Sequence, residues 1–265
     1  MSKKRAGKST KLTLLVAFAL SCGYLFELKT VAAEPPSKVV DLSHILGPNL
    51  PDFHVGNTTY EYKPLFSIAK DGYADGQFTT PEHYGTHMDA PSHFYQNGQT
   101  IDQLPANKLI LPGIVIDVRK EVEANNDYRL TVAKIQAFEK RTKIPQNSVV
   151  LLLTGWSARF GNAKSYRNAD KNGTMHFPAF SGEAADYLIN KKEVTALGVD
   201  TLSADYGLSK DYVVHKTALA KGVFLIENLN NLEQLPAKGT TIFLGPIRIK
   251  NGSGSPARIL ALLPE

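Results

Sequence analysis

Of 265 residues only one is cysteine, Cys22, and it falls in an apolar stretch near the start of the chain. Beyond it there can be no disulfide framework, no thiolate metal site and no cysteine nucleophile. Any metal held there must take nitrogen and oxygen ligands. A G-x-S-x-G run, the elbow that presents a nucleophilic serine, is also missing. Charge of one sign is scarce once position is considered. Residues 1–33 hold six of the 30 basic residues and one of the 25 acidic ones, so the chain from Glu34 onward carries 24 of each and no net charge. That excludes the electrostatic footprint needed to hold a nucleic-acid backbone. Long hydrophobic runs are absent too: the longest near the start, 12–26, has fifteen residues, fewer than the ~20 of a membrane-spanning helix.

What the first 33 residues do contain is a basic start (Lys3, Lys4, Arg5, Lys8, Lys11), the apolar run and the small residues Val31-Ala32-Ala33. These are the three parts of a secretory signal. They predict cleavage after Ala33 and an exported protein, periplasmic or secreted, with 34–265 as a single domain. An uncleaved anchor is the second reading of this segment. Lipid attachment at Cys22, in Leu20-Ser21-Cys22, ranks below cleavage as well, because the leucine sits one place too close to the cysteine.

Apolar runs bounded by turn residues predict strands at 38–42, 114–118, 149–153, 194–199, 223–226, 241–244 and 258–263. Helices fit between several of them. Thr131 can cap one with Val132, Ile135 and Phe138 on one side, and Ser181 can cap another with Glu183 near its positive end. A third, 213–221, stops at Gly222. Alternating strands and helices in the second half predict a layered α/β or α+β domain.

Between His83 and His93 the chain reads H-Y-G-T-H-M-D-A-P-S-H, three histidines and an aspartate in eleven residues. Side chains on a strand alternate, so His83, His87 and Asp89 would share one face. Full extension, however, would set the two histidine Cα atoms ~13 Å apart, too far for bonds of ~2.0–2.1 Å to one ion. The spacing therefore predicts a bend at Gly85-Thr86. Pro91 ends the strand and frees His93 to reach in from a turn. Asp89 would be costly to bury unpaired, and a divalent cation compensates it. His215, in the third helix, and Glu227, at the end of the next strand, are returned towards each other by the turn at Gly222 and offer a second contribution. His44 reads as a core histidine. Trp156, His176 and Phe177 read as substrate-pocket residues, whereas Phe53, Phe66, Tyr73 and Phe78 read as ordinary packing. Asp205 and Tyr206 read equally as supports for the site or as a solvated loop.

The H-x-G-T-H-x-D-x-P-x-H run, with a histidine and a glutamate twelve apart downstream, resembles the metal-dependent cyclase and hydrolase family that includes bacterial kynurenine formamidase and isatin hydrolase. The resemblance continues through Asp41-Leu42-Ser43-His44, 177–181, 198–201, Glu227-Asn228-Leu229 and 252–258. It implies a three-layer β/β/α swivelling domain assembled as homodimers or homotetramers. It also implies that His83, His87 and Asp89 hold one metal, that Asp89, His215 and Glu227 hold a second, and that His93 is the acid/base. The metal would be zinc or manganese, and the carboxylate at Glu227 favours two ions over one. The activity implied is hydrolysis of an aryl formamide or a cyclic amide such as isatin by a metal-activated water. Two other readings stay open: a metal-dependent cyclase or dehydratase, and an exported metal- or small-ligand-binding protein without turnover.

Overall fold

The structure is a computed structural model that describes residues 38–53 and 60–264; the expected signal segment and Cys22 lie outside the described residues. In chain order the strands are β1 (Lys38–Asp41), β2 (Glu61–Phe66), β3 (Asp75–Thr79), β4 (His87–Asp89), β5 (Ile110–Asp117), β6 (Arg129–Leu130), β7 (Val149–Leu153), β8 (Ala179–Phe180), β9 (Ala196–Val199), β10 (Phe224–Glu227), β11 (Lys238–Pro246) and β12 (Gly254–Leu263). The helices are α1 (Ile68–Asp71), α2 (Arg119–Ala124), α3 (Val132–Glu139), α4 (Ala163–Arg167), α5 (Gly182–Lys192) and α6 (Val213–Ala220).

The most apolar runs become the centre of a mixed sheet. β5, β7, β9 and β10 lie side by side in parallel, and every residue of β7, β9 and β10 is buried. Burial on both faces is what lets a parallel strand be apolar throughout. Alternation sends Val150 and Leu152 outwards, into a core shared with Ile135 of α3, Leu188 of α5 and Leu219 of α6. Leu151 and Leu153 point the other way, into a second core with Phe224, Ile242, Leu244 and Ile259.

That second core is the inside of a closed sheet. The strand order is β1-β12-β11-β5-β7-β9-β10-β4, and β4 pairs back onto β12. β12 shares one edge between two partners, with Gly254–Pro256 against β4 and Ile259's neighbours 260–263 against β1. Three residues, His87–Asp89, thus close the ring.

The helix caps follow the sequence. Thr131 Oγ1 accepts from Lys134 N at 3.2 Å and Ser181 Oγ from Ala184 N at 3.1 Å, and Gly222 is left-handed at φ 73° just after α6. The sequence reading passes over the β2–β3 hairpin, whose residues are almost all exposed. Phe66, Tyr73 and Phe78 are therefore surface groups rather than packing. Among the described residues no helix is long and apolar enough to cross a membrane.

Leu151, fully buried inside the closed sheet, is the place to test that core. Leu151→Ala is expected to cost ~2–5 kcal/mol, read as a lowered urea midpoint with an unchanged slope.

Candidate active site

Gly85 makes the bend expected of it. Residues 82–86 turn instead of extending, with Gly85 at φ 65°, a conformation that glycine adopts without steric cost. Three hydrogen bonds hold the turn: Thr86 Oγ1 donates to the carbonyl of Asn228 at 2.6 Å, Asn228 Nδ2 donates to the carbonyl of Gly85 at 2.9 Å, and His44 N donates to Thr86 Oγ1 at 2.9 Å. The strand proper starts at His87. Period two then points His87 and Asp89 to one side while Met88 enters the inner core.

Register supplies the next ligand type. Glu227, the last residue of β10, is the ladder partner of His87, and His87 Nε2 lies 3.4 Å from both Glu227 Oε2 and Asp89 Oδ1. From α6, His215 Nε2 lies 3.3 Å from Asp89 Oδ2 and 3.3 Å from Glu227 Oε1. On the other flank His83 Nδ1 is 2.7 Å from Asp89 Oδ1, and the His83 ring stacks on His93 at 3.8 Å between centroids. His93 itself sits in the one-turn 3-10 helix Pro91–His93. The structure thus brings together all six residues that the sequence nominated.

The outward nitrogens of two histidines are committed elsewhere. His87 Nδ1 donates to the carbonyl of Gly85 at 2.9 Å, and His215 Nδ1 bonds Asp205 Oδ2 at 2.7 Å. Each Nε2 lone pair is left facing the carboxylates, the arrangement of a metal-ligating imidazole backed by a second group. Asp205 is buried and also accepts the backbone N–H groups of Val214 and His215, at 3.0 Å each. It is a support for the site, not part of a solvated loop.

Asp89 and Glu227 are both buried, and Asp89 Oδ2 has no hydrogen-bond partner. Burial works against ionisation of Asp89, but the imidazoles of His215, His83 and His87 beside it hold its pKa well below the usual carboxylate range. Burial and the charge of Asp89 work against Glu227 too, and His215 and His87 bring it down to about 2. Burial likewise disfavours a charged His87, yet Asp89 and Glu227 push its pKa up to about 10. Two buried anions facing imidazole nitrogens that are otherwise driven to take up protons fit a divalent cation, which would replace those protons. The possible ligand atoms fall into two sets, His87/Asp89/Glu227 and His83/Asp89/His93, with Asp89 common to both.

The cluster forms the floor of a cavity of ≈ 590 Å³, within the ordinary range for small-molecule sites. Its apolar wall is Phe53, Phe94, Leu202 and Tyr212, with Glu82 and Ser203 as polar points. The three residues expected to line it do not. Trp156 is 1% exposed, and its indole N–H donates to the carbonyl of Tyr166 at 2.7 Å. Phe177 is fully buried in the outer core and only backs Phe53 edge-on. His176 pairs with Asp127 at 2.8 Å and does not line the cavity. A loop after a strand is a sound reason to suspect a pocket, but these loops turn back into the helix layer. Phe94 and Tyr212 are legible in the sequence, since Phe94 follows His93 and Tyr212 stands three residues before His215.

The family model "Putative cyclase" matches residues 40–206, which contain His83, His87, Asp89 and His93. The chain belongs to the cyclase family. Within it, the chain is 35% identical over 246 residues to the isatin hydrolase of Roseibium aggregatum, covering 86% of this chain and 92% of that protein. It is 25% identical over 223 residues to the kynurenine formamidase of Bacillus cereus, covering 84% and 96%. Among solved structures, isatin hydrolase A from Ralstonia solanacearum superposes with a TM-score of 0.81 at 33% identity, covering 85% of this chain and 92% of that one. An isatin hydrolase bound to the product analogue thioisatinate superposes at 0.80 with 33% identity, covering 86% and 93%. The fold shared with these family members is a mixed α/β sheet closed into a barrel.

The raised His87 pKa has a measurable sign. Its folded value of about 10 exceeds the ordinary 6.5, so without a cation protonated His87 adds stability below pH 6.5 that is lost as pH rises towards 10. A divalent cation competes with that proton. The gain in melting temperature on adding zinc or manganese, relative to a chelated sample, should therefore grow across that window; a gain that shrinks would contradict the ligand role of His87. Asp205→Asn should weaken metal binding by ~10–100-fold through loss of the group that orients His215, as read by competition with a chromogenic chelator.

Proposed function

We propose that the protein is a metal-dependent hydrolase of non-peptide carbon–nitrogen amide bonds, acting on a small aryl formamide or a cyclic amide such as isatin. The observation that carries this reading is the buried convergence of His87, Asp89, His215 and Glu227 beside His93, whose ring stacks on His83, in a chain 35% identical to an isatin hydrolase.

His87 and Asp89, with His83, would hold one ion, and Asp89 with His215 and Glu227 a second, the ions being zinc or manganese. When bound there, a divalent cation supplies positive charge that lowers the pKa of an adjacent water towards ~7 and polarises the carbonyl under attack. The chain's own residues do the rest. Burial pushes the pKa of His93 down to about 4, so its imidazole is neutral at pH 7 and able to take a proton. Among the described residues no hydrogen bond ties up its ring, which leaves it free to pass that proton to the departing nitrogen. Phe53, Phe94 and Tyr212 offer the cavity an aromatic wall that suits an aryl substrate.

The two separate cores, one inside the sheet and one under the helices, support a three-layer β/β/α description of 34–265 as a single domain. Export to the periplasm or beyond remains our reading of residues 1–33, and a homodimer or homotetramer our reading of the assembly.

His93→Ala is expected to keep its metal by elemental analysis while losing ~10²–10⁴-fold in turnover of isatin or an aryl formamide. Loss of metal together with activity would instead make His93 a ligand.

A further inference from the structure

His87 and His215 have their outward nitrogens committed to the Gly85 carbonyl and to Asp205. His83 is anchored from the far end of the chain. Its Nδ1 faces Asp89 Oδ1 at 2.7 Å, and its Nε2 lies 2.9 Å from Ser253 Oγ, 170 residues away in sequence. The same hydroxyl lies 2.5 Å from Glu82 Oε2, which also accepts the backbone N–H of Ser253 at 3.0 Å. A serine hydroxyl has one proton to give, and a carboxylate only accepts. The hydroxyl proton therefore goes to Glu82, and towards His83 Ser253 Oγ can only accept. That puts hydrogen on Nε2 and turns the lone pair of Nδ1 towards Asp89. Two lone pairs facing each other at that distance need positive charge between them, and in a loaded site a divalent cation supplies it.

The backbone around Ser253 is shaped to this contact. Gly254 is the ladder partner of Asp89, so closure of the ring sets Ser253 just beyond the last pair, where its carbonyl accepts from Ala90 N at 2.8 Å. The glycines on either side let the chain come close: a Cβ on Gly254 would lie 2.5 Å from His83 Cε1, and one on Gly252 would lie 3.1 Å from Glu82 Oε1. Glu82 opens the turn 82–86 that carries His83. We propose that Glu82 and Ser253 are positioning residues of the metal centre, which fix hydrogen on His83 Nε2 and so present Nδ1 as the ligand beside Asp89. Neither residue has to touch the ion or the substrate. Without the carboxylate, the hydroxyl is free to donate to Nε2 instead, which favours hydrogen on Nδ1 and blocks the ligand position.

This inference rests on the metal-dependent reading of the site, and its test separates the two. Zinc binding by the full chain is followed by competition with a chromogenic chelator for the parent, E82A, E82Q and S253A, with the melting temperature in chelator as the measure of each fold. E82A and S253A are expected to bind zinc ~10–100-fold more weakly. E82Q should stay close to the parent, because its amide oxygen can face the same two Ser253 donors. In ¹⁵N spectra of the zinc-loaded, histidine-labelled parent, the His83 signal, assigned by its loss in H83N, should show hydrogen on Nε2. Zinc held as tightly by E82A and S253A as by the parent, equal weakening in E82Q and E82A, or hydrogen on His83 Nδ1 would each overturn the positioning role and leave the metal reading standing. A parent that binds no zinc would overturn both.

Discussion

Three residues of β4 hold this molecule together in both senses. The strand is hydrogen-bonded on one edge to β10 and on the other to β12, and without it the sheet would be open along its whole length. Closure gives Leu151, Phe224 and Ile242 an interior to fill. It also pins His87 and Asp89 with the rigidity of a doubly paired strand, in a register that puts Glu227 directly beside His87. A shift of one residue would turn both ligands into the inner core and Met88 out of it.

The electrostatic problem created there organises the surroundings. Two buried carboxylates cannot stay ionised side by side without positive charge or hydrogen bonds. The protein supplies imidazoles from three directions: a bend (His83), the closing strand (His87) and a helix (His215). It fixes two of them through groups that lie outside the cluster, the carbonyl of Gly85 and the carboxylate of Asp205. Asn228 ties the system to the chain that follows Glu227, since its amide holds Gly85 while its carbonyl holds Thr86. His93 is treated differently. Burial alone acts most strongly on it, so it stays neutral beside groups that are driven to charge. One cluster thereby separates charge-bearing ligands from a free base.

Much of the site could be read from the chain because its members are close in sequence or tied to strong local signals. The bend at Gly85-Thr86 followed from ligand reach, and the caps at Thr131 and Ser181 from side-chain chemistry that acts within three residues. The pocket wall is not legible there for the opposite reason. Whether an aromatic after a strand faces a cavity or a helix depends on which way its loop turns, and Trp156 turns inwards to a carbonyl ten residues away. The β2–β3 hairpin is hard to read from the chain because its alternation is interrupted by Pro64 and a bulge.

By itself the sequence determined the donor set, nitrogen and oxygen without sulfur, along with the bend, the central strands, three of the helices and the family. Those depend on composition, local sterics and short-range periodicity. Tertiary structure alone decided that β4 closes the sheet, that Asp205 orients His215, and that Phe94 and Tyr212 rather than Trp156 and Phe177 face the cavity. Each of these joins residues through the pairing of strands or the packing of a loop, and no spacing along one chain encodes which edge or face will be met.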